Sequence, residues 1–196
     1  MTQSTMESIK SLEQKIGEIE LMIKNKATAP NNTNVEKALE LLTPEQIDCS
    51  VLPLSYFSDA KIISKLIAKG KHVLRQASAK ICDDYDIVSQ AIAKNASEIM
   101  WASDRLKSNT NIAKILLKSE NDVKHGFEYL SYSVRSDSEV AKLTVETNGR
   151  LLQFVSDELR GDFEIVKIAV SNYPSAYFCA TEEMQKHPEV LKIMGL

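Results

Sequence analysis

Apolar positions recur along the last two-thirds of the chain with a period of 25 residues. The anchor of each period is Ile62, Ile87, Ile112, Val140, Ile165 or Val190, with four intervals of 25 and one of 28. Apolar side chains stand at the anchor and one, four and five places on: Ile62, Ile63, Leu66, Ile67; Ile87, Val88, Ala91, Ile92; Ile165, Val166, Ala169, Val170. That spacing lies on one face of a helix and does not fit the alternation of a half-buried strand. Three residues ahead of each anchor stands Asp59, Asp84, Asn109, Asp137, Asp162 or His187. Five of these six side chains accept bonds from the free amides of a helix start. The sixth is followed by Pro188, at the position proline favours.

After a break at Gly70, Asn95, Gly149 or Pro174, a second helix is expected in each period. It is carried by Leu74, Ala77, Ser78, Ile81; Ile99, Ala102, Ser103, Leu106; Leu152, Val155, Ser156, Leu159; and Tyr177, Ala180, Thr181, Met184. The small pair in its middle is expected to let neighbouring helices approach closely. A unit of this kind cannot bury its apolar face alone and must stack on its neighbours. The expected fold is therefore all-α, an α-solenoid of short helical hairpins over residues 59–196, closed by a helix from Pro188 to Met194.

Ahead of the array, Ser4 and Glu7 form a capping box that opens a long amphipathic helix over residues 1–26. Ile9, Leu12, Ile16, Ile19 and Ile23 alternate spacings of three and four, the seam of a coiled coil. This seam either pairs two chains into a homodimer through residues 6–24 or packs on its own chain. Residues 27–33 are a polar, proline-bearing linker. Residues 34–58 read as a degenerate capping repeat, with a further capping box at Thr43-Pro44-Glu45-Gln46.

The stretch Leu151-Leu152-Gln153-Phe154-Val155-Ser156-Asp157-Glu158-Leu159-Arg160-Gly161-Asp162 followed by Ile165-Val166-Lys167-Ile168-Ala169-Val170 resembles a bacterial domain-of-unknown-function family of short two-helix repeats. The resemblance extends over about residues 59–192 and is clearest around 77–93 and 151–170. Such repeats occur in uncharacterised proteins and candidate effectors of intracellular bacteria, with no assigned catalytic residues. The resemblance implies the helical array and leans toward interference with a host or rival.

Composition narrows the function by exclusion. No run is long and apolar enough to cross a membrane, and the amino terminus lacks the pattern of a secretory leader, so a cytoplasmic location is expected, in the producing cell or in a host. Cys49, Cys82 and Cys179 are far apart and outside any CxxC, which points to neither disulfides nor zinc. His72, His125 and His187 are scattered, and no phosphate-binding, nucleophile-elbow or metalloprotease motif is present. No enzyme activity, cofactor or metal is expected. Trp101 and Phe154, at equivalent positions, are expected to pack between repeats.

Charge then supplies the candidate surface. Residues 1–58 hold five Lys/Arg against eight Asp/Glu, residues 59–118 eleven against six, and residues 119–196 eight against thirteen. In the basic stretch, Lys61, Lys65 and Lys69 stack on one side of a helix, and Lys71, Arg75 and Lys94 continue the charge. The lengthened third period, between Leu117 and Phe127, adds Lys118, Lys124 and His125, and insertions in such arrays often fall on the binding face. The leading expectation is a non-catalytic module that captures a protein, as an effector or inhibitor. The alternative is binding of RNA or a ribonucleoprotein by residues 59–118, as in a phage or mobile-element inhibitor of a host defence.

Overall fold

The structure, a computed structural model, describes residues 32–119 and 123–196. The helix expected over residues 1–26, its heptad seam and most of the 27–33 linker lie outside the described residues. Among the described residues all regular structure is helical, in α-helices and 3-10 turns. The chain divides into two compact units, one up to Gln90 and one from Ala91 onward.

In the first unit, α1 (Asn32–Leu41) is followed by 3-10 turns at Pro44–Gln46, Cys49–Val51 and Leu54–Ser58. The capping box is formed, with the Thr43 amide donating to Gln46 Oε1 at 2.9 Å. Asp59 then opens α2 (Ala60–Ala68), its Oδ1 accepting from the amides of Lys61 at 2.9 Å and Ile62 at 3.2 Å. α2 packs against α1, burying Ile62, Ile63, Leu66 and Ile67 with Val35, Leu39, Tyr56 and Phe57. Full burial of one such aliphatic side chain stabilises by about 1.5–3 kcal/mol relative to exposure.

The second unit repeats this local logic. Helices Thr110–Leu116, Ser138–Thr147 and Phe163–Asn172 start at Asn109, Asp137 and Asp162, whose carboxyl or amide oxygens accept from the anchors' amides at 3.2, 2.9 and 3.0 Å. His187, before helix Pro188–Met194, makes no such bond and instead stacks on Phe163 with ring centroids 4.5 Å apart. The six anchors of the sequence pattern are all buried. At Gly149 two backbones meet closely: a Cβ there would stand 2.3 Å from the Ala169 carbonyl oxygen.

The second helix differs from expectation in four periods, the lengthened one carrying helix Val123–Phe127 instead. In those four its place is taken by a 3-10 turn (Leu74–Gln76, Ala96–Trp101, Gly149–Phe154, Pro174–Cys179) and a separate short turn (Ala79–Cys82, Asp104–Lys107, Leu159–Gly161, Glu182–Gln185). The small pair between them is extended: Ala77, Ser78, Ala102, Ser103, Val155, Ala180 and Thr181 have ψ from 151° to 159°. So the pair does not sit in a helix middle. Extension frees its second amide from local bonding, and that amide bonds one period upstream. Ser78 donates to the Phe57 carbonyl at 2.9 Å, Ser131 to Lys107 at 3.0 Å, Ser156 to Arg135 at 3.1 Å and Thr181 to Arg160 at 3.1 Å. The close approach expected of these small residues is met by Gly126 and Gly149.

Candidate binding surface

The lysine face expected on α2 is divided by its neighbour. Lys61 is exposed, whereas Lys65 and Lys69 turn onto α1. Lys65 Nζ donates to the Glu36 carbonyl at 3.3 Å and pairs with the Glu40 carboxylate, while Lys69 Nζ donates to the Leu42 carbonyl at 2.8 Å. The Leu42 carbonyl lies just past the carboxyl-terminal end of α1, where a helix leaves acceptors unsatisfied and where a cation is favoured, whereas the Glu36 carbonyl lies in the middle of α1. Asn172 plays the same part in the second unit, its Nδ2 donating to the carbonyls of Val145 at 3.1 Å and Glu146 at 2.9 Å.

Lys71 sits among the acidic turns after α1. Glu45's own amide and the Thr43 hydroxyl hold its carboxyl below the ordinary range, and hydrogen bonds from Ser50 do the same for Asp48, with the charge of Lys71 adding to both. Cys49 beside them is pushed up by burial, which keeps its thiol neutral. Arg75 is exposed in the first unit, and Lys94, Lys118, Lys124 and His125 are exposed in the second. The insertion over 118–126 is described except at 120–122. Its end is fixed by packing, since a Cβ on Gly126 would stand 2.5 Å from the Ala96 carbonyl oxygen.

Several aromatic side chains of the second unit are exposed, among them Trp101, which was expected to pack between repeats. Trp101 is 37% exposed, Tyr129 38%, Tyr132 64% and Phe178 75%. The register explains why. Tyr132 stands eight residues before its anchor, where Asp104, Asp157 and Glu182 stand in the other periods of this unit, all exposed. Phe178 stands twelve before its anchor, a place taken by exposed Glu128 and Gln153 and by half-buried Met100. The fold leaves these positions in water, so it does not require aromatics there. Phe178 touches Tyr177 edge-on with centroids 5.4 Å apart and otherwise faces solvent.

Trp101 and Phe178 lie in elements that pack in a row within the second unit, and Tyr129 and Tyr132 follow the helix between them in the chain. The 3-10 turn Ala96–Trp101 packs on helix Val123–Phe127, that helix on Gly149–Phe154, and that turn on Pro174–Cys179. Two guanidiniums stitch the row together. Arg135 donates from Nε to the Leu130 carbonyl and from Nη1 to the Phe154 carbonyl, both at 3.1 Å, and Arg160 donates from Nη1 to the Cys179 carbonyl at 3.1 Å. Position −11 thus carries Trp101, Tyr129 and Phe154 in successive periods, Phe154 half-buried. A count of residues back from each anchor, compared with the polar residues at the same place, is the sequence signal that distinguishes Tyr132 and Phe178 from core aromatics.

Glu98, 6% exposed, is a buried charged side chain that no sequence pattern singled out. Among the described residues no group of His, Cys, Asp and Glu is placed to hold a metal ion, and no helix is long and apolar enough to cross a membrane. Cys49, Cys82 and Cys179 form no disulfide and are half-buried. Cys82 Sγ lies 3.4 Å from the Leu74 carbonyl oxygen, a structural contact.

A family model described as a domain of unknown function (DUF4116) matches residues 124–160 and, in an overlapping second match, 137–185. This supports the resemblance to a domain-of-unknown-function family over the part of the second unit that carries Tyr129, Tyr132, Phe154 and Phe178. No curated protein and no solved structure matches the chain.

Proposed function

We propose that the chain is an α-solenoid of short helical hairpins that captures a protein without catalysing a reaction, and that it acts as an effector or inhibitor in the cytoplasm of its own cell or of a host. The observation that carries this reading is the placement of Tyr132 and Phe178 at positions the fold leaves exposed. Tyrosine and other aromatics are enriched where protein surfaces bind. The hydrogen bonds from Ser131, Ser156 and Thr181 to carbonyls one period upstream support the stacked array. An array of this kind offers an extended surface and little chemistry.

The nucleic-acid alternative draws its support from the positive charge of residues 59–118. That support weakens because Lys65 and Lys69 bond to α1. The discriminating experiment is a pull-down with the full chain from the source cell or its host, with and without nuclease. Capture of the same protein in both arms is the expected result; loss of all captured material after nuclease treatment would overturn the reading. A homodimer through residues 6–24 is proposed as well. Light scattering should find a dimer for the full chain and a monomer after deletion of residues 1–30, and a monomeric full chain rejects pairing.

A further inference from the structure

We infer that the aromatic edge of the second unit is the docking surface, and that it takes an extended, lysine- or arginine-bearing segment of the partner protein. This rests on the protein-binding reading above and names the surface and the chemistry of its ligand. The row of packed elements runs from Trp101 by way of Phe154 to Phe178, three period steps, and Tyr129 and Tyr132 belong to the period between. With about 10 Å per step of packed elements, it is about 30 Å long, the span of roughly nine or ten residues of extended chain.

Charge selects the occupant. The exposed places eight and seven residues before the anchors and the place twelve before them hold Asp104, Glu128, Asp157, Glu158, Glu182 and Glu183 in this unit, against Arg105 at those places and exposed Lys124 and Arg150 in the row's own elements. Arg160 pairs with Asp157, and Lys186 lies 3.7 Å from Glu182, which offsets part of this charge without reversing it. Residues 119–196 as a whole hold eight basic against thirteen acidic side chains. Phosphates are repelled by such an edge. A cationic segment is attracted to it, and a lysine or arginine gains further from the faces of exposed rings, while its apolar neighbours cover the ring edges. The opposite pattern holds around the helix starts, where Lys114 pairs with Glu139 at 2.9 Å and Lys167 with Glu164 at 3.4 Å, leaving that side balanced.

Trp101 is the sole tryptophan of the chain and lies on this edge, so its emission reports occupancy directly. The full chain should be titrated with a tryptophan-free peptide of about twelve alternating lysine and leucine residues, with its glutamate–leucine counterpart and with single-stranded RNA of similar length. The lysine peptide should change Trp101 emission saturably, and more weakly as salt rises, while the other two should give no saturable change. Tyr132→Ser combined with Phe178→Gln should weaken the lysine peptide at least about tenfold, with the helical signal and melting temperature unchanged. Glu158→Lys combined with Glu183→Lys, which alters no ring, should weaken it as well. Equal binding by either double variant, stronger binding of RNA or of the anionic peptide, or an unresponsive Trp101 would each overturn the docking surface. A protein captured in the pull-down and retained in full by the Tyr132→Ser, Phe178→Gln chain would overturn the surface alone and leave protein binding standing.

Discussion

The Thr181 amide donates to the Arg160 carbonyl at 3.1 Å, yet the Thr181 hydroxyl, buried, has no partner. The function of this residue is therefore in its backbone. Its φ of −63° suits proline, and Ala180 before it, at φ −72° and ψ 159°, is extended as a residue ahead of proline must be. Thr181→Pro removes one N–H without forcing the chain. It should cost about 1–3 kcal/mol, the price of an unsatisfied carbonyl. Thr181→Val, which removes only the idle hydroxyl, should be neutral or slightly stabilising. Chemical denaturation of the two variants checks the order, and equal losses would mean that the hydroxyl, not the amide, is what binds.

Arg135 closes one period onto the next through two carbonyls, those of Leu130 and Phe154. Gln185 stands at the same place one period from the end and reaches only its local carbonyl, that of Ala180, at 2.9 Å. Arg135→Ala should lose about 1.5–3 kcal/mol. Arg135→Gln should lose less, since glutamine reproduces the local bond and forfeits the one to Phe154. Thermal melts of both variants test this.

The buried face of helix Phe163–Asn172 and its solvent face should differ sharply. Ile165 is 5% exposed within the core around Val166, Ala169 and Val190. Ile165→Ala should cost about 2–5 kcal/mol. Lys167 lies 3.4 Å from Glu164 and over the Phe163 ring at 5.5 Å, both at the surface. Lys167→Ala should stay within about 1 kcal/mol of the parent. Urea midpoints of the two variants measure the contrast.

Charge reversal on α2 separates folding from binding. Lys69→Glu places a carboxylate against the Leu42 carbonyl, where Lys69 Nζ now donates at 2.8 Å, and should destabilise the first unit by about 1–3 kcal/mol. Lys61→Glu meets no such acceptor and should leave the melting temperature within a degree or two. If RNA or a captured protein loses affinity in Lys61→Glu at unchanged stability, α2 is part of an interface. Loss in Lys69→Glu alone reports unfolding.

Much of this architecture is written locally. The buried anchors from Ile62 to Val190 are legible because a helix face is a one-dimensional pattern, and the caps Asp59, Asn109, Asp137 and Asp162 act within three residues of themselves. His187 was legible as an exception, though its contact with Phe163 was not. Tertiary structure decided what depends on partners far along the chain. Ala180 and Thr181 carry a helix-compatible apolar spacing, but the amide of Thr181 gains more from the Arg160 carbonyl than from a continued helix, so the pair is extended. Lys65 and Lys69 have the spacing of an open basic face, and only the presence of α1 beside them, with the Glu40 carboxylate for Lys65 and the Leu42 carbonyl past its end for Lys69, turns them inward. Tyr132 and Phe178 are aromatic, and burial is the default for such residues; only their register against the anchors, compared across periods, hints at exposure, and the tertiary structure decides that they remain in water.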